Sequence, residues 1–187
     1  MHYTLCDLFS DLTQNSIEAE ATQITVEVTE LSGRLSVCIA DNGKGMTQEQ
    51  LARATDPFWT DGIKHPGRKV GLGIPFLIQT AETSAGSWNI RSSTGADGTP
   101  KGTVVQADFD LNTIDTPPVG DVAGYFRQIL TFDRPYELVI VRTKDSMSWS
   151  VSRSELCEAL GVNDPGDLCE AGTLALVAQY LEANETA

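Results

Sequence analysis

Four short blocks occur in a fixed order along the first 103 residues, and this order restricts the fold more than any other feature. They occupy residues 11–16 (DLTQNS), 41–46 (DNGKGM), 71–73 (GLG) and 102–103 (GT). The first lies in a helix pattern, the second follows a strand pattern, and the last two open a helix and a strand. Each block alone is weak, since Asn-Gly turns and glycine pairs are common. Their order, spacing and matching elements predict one shared site.

The spacing of apolar residues predicts an α+β fold. Residues 4–19 have a helical stripe, and further helices are expected from Thr47, which forms a capping box with Gln50, and over residues 72–83. Alternating residues predict strands at 24–28, 35–39, 88–92 and 103–109. Helices on one face of a mixed, mostly antiparallel sheet form a two-layer α/β sandwich. Residues 55–70 contain prolines and glycines without periodicity, and this pattern predicts a long loop.

The proline pair Pro117-Pro118 is the best candidate for a boundary between two parts of the chain. It predicts a main domain over residues 1–114 and a small α/β extension over residues 115–187. The extension should contain a helix near 121–130, two strands, a helix capped by Ser152 and a terminal helix. Because about 70 residues bury little core on their own, we expect the extension to pack on the main domain or on a partner.

Charge and hydropathy exclude several classes of protein. The net charge is −13, with eight basic and 14 acidic residues in 1–114 and five and 12 in 115–187. Such a field repels nucleic acid, whose binding depends on Lys and Arg. No apolar run reaches the ~20 residues of a membrane span, and no secretory signal is visible. We therefore expect a cytoplasmic protein that contacts neither membrane nor nucleic acid.

The four cysteines show no Cys-x-x-Cys spacing. We expect them to be reduced thiols, most of them buried, and we expect no metal site among them.

Two polar residues of the blocks have chemistry suited to a ligand. Asp41 directly follows a strand, so its carboxylate can accept a hydrogen bond from a ligand, while Gly43 and Gly45 let the backbone turn close to that ligand. The alternative is a plain strand-ending turn. Asn15 offers a neutral oxygen of the kind that Mg²⁺ prefers, and its alternative is a solvent-facing helix residue.

A basic cluster lies beside the third block. Lys64, Arg68 and Lys69 fall within six residues in an otherwise acidic domain. Such a run is usually a solvated surface. Next to a glycine-rich helix start, whose free N–H groups favour anions, it also predicts a triphosphate clamp.

Together the blocks resemble the GHKL superfamily, the Bergerat-fold ATP-binding domains of gyrase, heat-shock chaperones, histidine kinases and mismatch-repair ATPases, over about residues 3–110. The resemblance implies binding of ATP with Mg²⁺. It places adenine at Asp41, a supporting hydrogen bond at Thr103 and Mg²⁺ at Asn15. The other residues expected to contact nucleotide are Gly43, Gly45, Met46, Phe58, Lys64, Lys69, Gly71, Leu72 and Gly73.

Asp56-Pro57-Phe58 with the later Gly-Leu-Gly-Ile is most similar to the histidine-kinase branch. The only histidines are His2 and His65, and neither lies in a helix pair ahead of the ATP domain. Asp11 stands where hydrolytic members have a glutamate that activates water, and it is one methylene shorter. Because Asp11 differs from the family pattern in this way, three roles stay open for it: a general base, a water-mediated Mg²⁺ contact or a surface residue.

Three functional hypotheses follow from the resemblance. The first is a stand-alone regulatory module for signal transduction, which phosphorylates a partner protein or changes its contacts with that partner when ATP binds. The second is a slow ATPase whose homodimerisation is controlled by nucleotide and whose base is Asp11. The third is a non-enzymatic interaction module, similar to anti-sigma-factor relatives, in which ATP is a structural ligand.

Overall fold

The computed structural model of the chain describes residues 4–56 and 73–186. The six strands in that part are β1 (Gln23–Leu31), β2 (Arg34–Asp41), β3 (Ser87–Ser93), β4 (Gly102–Asp110), β5 (Glu137–Lys144) and β6 (Met147–Ser152). The helices are α1 (Leu5–Glu18), α2 (Gln48–Thr55), α3 (Gly73–Thr83), α4 (Val122–Leu130), α5 (Arg153–Leu160) and α6 (Ala171–Thr186). A short 3₁₀ helix spans Pro165–Cys169.

The strands form one sheet in the order β3-β4-β2-β1-β5-β6. β1 and β5 are parallel, and every other neighbouring pair is antiparallel. The predicted α+β class with a mixed, mostly antiparallel sheet is therefore confirmed.

One face of the sheet is buried beneath the helices. Strand residues alternate between buried and more exposed positions, as in the buried series Ile24, Val26 and Val28 of β1. α1 packs on this face through Phe9, whose ring centroid lies 5.9 Å from that of Phe109 on β4 and 6.1 Å from that of Tyr125 on α4. A two-layer sandwich results, in which α1 belongs to the helical layer and contacts both the sheet and α4.

Three helices begin with a capping box, and two of these boxes were predicted from the sequence. The capping boxes predicted at Thr47 and Ser152 are both present. A third box at the start of α1 was not predicted: the Thr4 hydroxyl accepts from the Asp7 amide, and the Asp7 carboxylate accepts from the Thr4 amide. Its third helical residue is Asp rather than the Glu or Gln of the usual pattern.

The segment after the proline pair continues the same sheet. Pro118 and Val119 accept hydrogen bonds from the amides of Leu5 and Cys6 at the start of α1, each over 2.9 Å. β5 then pairs with β1 along its whole length, and buried side chains of α4, α5 and α6 belong to the common core. The division into residues 1–114 and 115–187 stays a prediction about how the chain folds.

Two arginines lie in this part of the core, each only 1% exposed. Arg142 on β5 forms ion pairs with Glu30 on β1 and Glu185 on α6, at 2.9 and 3.0 Å. Arg153 stacks on the Tyr136 ring, 4.4 Å from its centroid. Arg153 also donates to five backbone carbonyls, those of Leu130, Phe132, Arg134, Tyr136 and Pro165. Arg142 thus connects the last third of the chain to β1, and Arg153 connects segments within that last third to one another.

Of the residues in the described ranges, no helix is long and apolar enough to cross a membrane. All four cysteines are free: Cys6 and Cys157 are buried, Cys38 is half-buried and Cys169 is exposed. No cluster of metal-ligating side chains was found within residues 4–56 and 73–186.

Candidate functional site

The carboxylate of Asp41 is held at the end of β2 by three donors. Its Oδ2 accepts from the Ser16 hydroxyl of α1 over 2.7 Å. Its Oδ1 accepts from the backbone amides of Gly43 and Thr103, over 2.8 and 3.2 Å. One half-buried carboxylate therefore joins α1, the turn after β2 and the start of β4. A carboxylate has about four acceptor positions, so one remains for a further donor.

The turn after Asp41 is fixed by its neighbour Asn42. The Asn42 side-chain oxygen accepts from the amides of Thr22 and Gln23, both over 2.9 Å. Its amide nitrogen donates to the Thr22 hydroxyl over 2.9 Å. Asn42 thus binds the chain where it enters β1, and this contact holds the second block against the start of that strand.

Two glycines of the blocks sit where a side chain cannot fit. Gly45 has a φ of +62°, and a Cβ there would lie 1.9 Å from the Ser93 carbonyl oxygen. Gly102 has a φ of +137°, and a Cβ there would lie 1.9 Å from the Asp41 carbonyl oxygen. The second block can therefore approach the end of β3, and the fourth block can approach Asp41, only because these two residues are glycine.

The fourth block is linked to the second through a serine. The Ser92 hydroxyl of β3 accepts from the Met46 amide over 2.8 Å and lies 2.8 Å from the Thr103 hydroxyl. Thr103 thus contacts Asp41 through its backbone amide, while its hydroxyl faces Ser92. The hydrogen bond from Thr103 to Asp41 therefore comes from the amide and not from the side chain, and the nucleotide contact expected of Thr103 stays a prediction.

Asp11, Asn15 and the third block meet on the exposed side of α1. A Cβ placed on Gly73 would lie 3.5 Å from the Asn15 Nδ2 atom and 3.9 Å from the Asp11 Cβ atom. Both α1 side chains are exposed. Within the described ranges the Asn15 amide makes no side-chain hydrogen bond, and its Nδ2 atom is the one shown beside the start of α3.

The side of α1 away from the site is anchored in the core. The buried Thr13 hydroxyl donates to the Phe9 carbonyl over 2.9 Å and lies 3.0 Å from the Tyr125 hydroxyl. Burial raises the pKa of Tyr125, so this phenol stays neutral. α4 thereby fixes the rotation of α1 that presents Asp11, Asn15 and Ser16.

The predicted site residues that the structure describes form two neighbouring groups. Asp41, Gly43, Gly45, Met46 and Thr103 form one group at the ends of β2 and β4. Asp11, Asn15 and Gly73 form a second group, joined to the first through Ser16. The remaining predicted contacts lie outside the described residues; they are Phe58, Lys64, Lys69, Gly71 and Leu72.

Sequence reasoning missed Ser16 and Ser92, which hold Asp41 and Thr103. Ser16 belongs to the first block, and its place one residue after Asn15, on the buried side of α1, was an available signal. Ser92 gave no such signal, because its role depends on the pairing of β3 with β4.

Comparison with known proteins supports a common origin for these blocks. Residues 3–113 match the family model of the histidine kinase-, DNA gyrase B- and HSP90-like ATPases. The DNA mismatch repair protein MutL of Streptococcus thermophilus LMD-9 is 36% identical over 102 residues, which are 52% of this chain and 15% of MutL. Sporulation kinase C of Bacillus subtilis is 28% identical over 111 residues, 58% of this chain and 24% of the kinase. The chain thus spans less than a quarter of these relatives.

The fold is shared with a solved structure. The Aquifex aeolicus MutL ATPase domain complexed with ADP aligns with a TM-score of 0.51 and 16% sequence identity, over 79% of this chain and 64% of that chain. The aligned part, 79% of this chain, is longer than residues 3–113. The structural similarity therefore includes part of the segment after residue 114. The chain belongs to the family of histidine kinase-, DNA gyrase B- and HSP90-like ATPases, and residues 3–113 are its histidine-kinase-like ATP-binding domain.

Proposed function

We propose that the chain is an ATP- and Mg²⁺-binding regulatory module that phosphorylates a partner protein, or changes its contacts with that partner, when nucleotide binds. The observation that carries this proposal is the Asp41 carboxylate, held by Ser16, Gly43 and Thr103 where the first, second and fourth blocks meet. The matched family and sporulation kinase C support the kinase-like reading.

The protein donors around Asp41 favour adenine over guanine. Three donors fix the carboxylate and leave about one acceptor position open. The 6-amino group of adenine can donate to that position, whereas guanine presents a carbonyl oxygen there and would face the carboxylate with another acceptor. ATP should therefore bind much more tightly than GTP, since a hydrogen bond to a charged group contributes about 1.5–3 kcal/mol.

The surroundings of Asn15 fit Mg²⁺. The residue is exposed and its side-chain amide, which carries a neutral oxygen, lies beside the start of α3, where the third block would present phosphates. Bound Mg²⁺ keeps several waters, bridges phosphate oxygens and reduces their negative charge. Asn15 would hold the ion, and Lys64 and Lys69 would add positive charge around the outer phosphates.

A second candidate function, slow ATP hydrolysis, is favoured by the position of Asp11. It lies one helical turn before Asn15 and, like Asn15, beside Gly73. A general base must reach its proton directly or through one water, and the short Asp11 side chain would require the second route. The third candidate, a non-enzymatic interaction module, requires only binding.

Labelled ATP separates these functions. Partner-dependent transfer of the γ-phosphate to protein supports the kinase-like module, phosphate release without a partner supports the ATPase, and nucleotide-dependent partner binding without either supports the interaction module. Asp11→Glu and Asp11→Asn form a matched pair for the ATPase. If Asp11 is the base, Asp11→Asn abolishes phosphate release while Asp11→Glu retains or raises it. Failure of the protein to bind ATP at all would refute the proposal.

We place this activity in the cytoplasm, with ATP and a protein as partners and without nucleic acid. The acidic net charge of −13 supports the last point, because it opposes contact with phosphate backbones. A pull-down with and without ATP and Mg²⁺, followed by phosphosite mapping of the bound proteins, would identify the partner.

A further inference from the structure

Two stretches in the last third of the chain contain no charged residue. They are residues 146–152, which include β6, and residues 171–181, which form most of α6. In the whole chain 21% of residues are charged, and acidic residues outnumber basic ones 26 to 13. These two stretches therefore present little charge at the surface, and depletion of charge is typical of the centre of protein interfaces.

β6 is an open edge of the sheet in the part of the chain that the structure describes. Its outward side chains are Ser148, Ser150 and Ser152, while Trp149 and Val151 face the helices. Natural proteins usually block such edges with lysine, proline, a bulge or a covering loop. β6 itself has neither lysine nor proline, so its free backbone groups can accept another strand.

An apolar groove of about 360 Å³ runs beside this edge. Its wall is formed by α5 and α6, including Leu160, Leu176 and Tyr180. Leu176 is 51% and Tyr180 is 40% exposed, and they lie one helical turn apart on the same face of α6. Among the described residues that line the groove, Glu155 alone is charged.

We propose that this edge pairs with the β6 strand of a second copy of the chain, in antiparallel orientation about a twofold axis through Ser150. In an antiparallel pair, residues that oppose each other point to the same face. The axis at Ser150 places serine opposite serine on the outer face and Trp149 opposite the partner's Val151 on the helix face. The two sheets would join into one, with both α6 helices covering the junction.

The alternative axis through Trp149 is less suitable. It would set the two indole rings against each other, yet each ring already packs edge-on against Phe126 of its own α4, with centroids 5.6 Å apart. The axis through Ser150 instead pairs a large residue with a smaller one and brings the smallest side chains closest together.

Charge argues for a second copy as the occupant. Two copies that each carry −13 repel each other over most of their surfaces. The neutral strand and the neutral face of α6 form a region where two copies can approach without opposing like charges. The groove itself offers a basic segment few partners for ion pairs, since Glu155 is the single charged residue among the described residues that line it.

This surface lies after residue 113, outside the part of the chain that matches the ATPase family, so the inference does not depend on the proposed function. The proposed dimer should also have an unusual dependence of its affinity on salt concentration. Because screening weakens the repulsion between the acidic copies, added salt should strengthen the dimer, whereas it would weaken binding of a basic partner.

Sedimentation velocity over a range of protein concentrations tests the proposal. The unmodified chain should form dimers whose population rises with concentration and with salt. Ser150→Lys puts two positive charges directly opposite each other across the axis, so the dissociation constant should rise about tenfold or more. The matched control is Ser36→Lys, the same change at an exposed position on the outer face of the interior strand β2, which should leave the dimer unchanged.

Cross-linking tests the register. In a Cys169→Ser background, Ser150→Cys should form a covalent dimer under mild oxidation, because directly opposed residues on paired strands come within disulfide distance. Ser36→Cys should not. A chain that stays monomeric at every soluble concentration, a dimer unaffected by Ser150→Lys, or strand addition by another protein in place of a second copy would each overturn the proposal.

Discussion

The Ser16 hydroxyl donates a hydrogen bond to the Asp41 carboxylate over 2.7 Å and thereby connects α1 to the end of β2. The two residues are 25 positions apart in sequence. Ser16 directly follows Asn15, so this one bond joins the group around Asp41 to the group around Asn15 and Gly73. The proposed adenine and Mg²⁺ contacts are consequently placed relative to each other by a single helix.

Ser16→Ala should lower ATP affinity while the protein stays folded. Loss of one donor to a charged group corresponds to about 1.5–3 kcal/mol, roughly ten- to hundredfold, with the lower end expected because two amide donors remain. Ser10→Ala is the control, since Ser10 is buried on the same helix without a side-chain hydrogen bond in the described ranges. Calorimetric titration with ATP gives the result; equal affinities for the two variants would mean that Ser16 does not position Asp41.

Asn15→Ala should remove the dependence of ATP affinity on Mg²⁺ and leave metal-free ADP binding nearly unchanged, because the variant loses the proposed oxygen ligand and nothing of the adenine site. Gln14→Ala, the neighbouring amide that donates to Glu18, is the control. Titrations with and without Mg²⁺ decide between the two roles. If ATP and ADP binding fall equally in both conditions, Asn15 supports the pocket and not the metal.

Arg153→Met should strongly destabilise the fold. The substitution keeps much of the side-chain length but removes the Arg153 donor from five backbone carbonyls. The carbonyls of Phe132 and Arg134 keep an amide donor, and each buried group that is left unsatisfied costs about 1–3 kcal/mol. Arg53→Met, which breaks an exposed ion pair with Glu49, should change the free energy of unfolding by only about 0.5 kcal/mol. Urea unfolding measures both.

The same unfolding curves test the division of the chain at residue 115. If both parts unfold together, Arg153→Met shifts one transition seen equally by far-ultraviolet circular dichroism and by ATP binding. If residues 115–187 unfold alone, ATP binding will persist after the first transition.

Thiol reactivity should differ strongly among the cysteines. Burial, followed by the negative charges of Asp121 and Asp7, raises the pKa of Cys6 from 9.0 to about 12. Near pH 8 only about one Cys6 thiol in ten thousand would be ionised, so iodoacetamide should label the exposed Cys169 and spare Cys6. Peptide mapping after labelling gives the ratio. Rapid labelling of Cys6 in the folded protein would show that α1 does not stay packed.

The pKa of Cys6 also implies a direction for stability against pH. The folded state favours the neutral Cys6 thiol. The contribution of this thiol to the free energy of unfolding is therefore fully present below pH 9.0. As pH rises from 9.0 towards 12, the thiol ionises in the unfolded chain first, and the free energy of unfolding should fall.

The regular elements could be predicted because local patterns encode them. The β1–β2 hairpin follows from alternation around the Gly33 turn, and the starts of α2 and α5 follow from capping boxes. The order of the strands could not be predicted in this way. β5 inserts beside β1, more than 100 residues earlier, and no local signal distinguishes this parallel pairing from a separate small sheet.

The candidate site shows the same limit. Asp41, Asn15 and the glycines could be identified because the blocks preserve both residue type and order. Ser92 could not, because its contact with Met46 and Thr103 arises only when β3 and β4 are paired. The buried charges of Arg142 and Arg153 were also unforeseen, since a lone arginine in a strand or at a helix start usually lies on the surface.

The central claim is that the Asp41 carboxylate receives the amino group of adenine, and Asp41→Asn tests it most directly. The amide replaces one acceptor oxygen with a donor, so ATP affinity should fall roughly ten- to hundredfold. Circular dichroism and thermal unfolding must first show that the variant is folded, since Ser16, Gly43 and Thr103 also bind this side chain. Calorimetric titration of ATP and GTP into both proteins should then show a strong preference for ATP in the unmodified chain and little preference in the variant. Unchanged ATP affinity in folded Asp41→Asn protein would contradict the account.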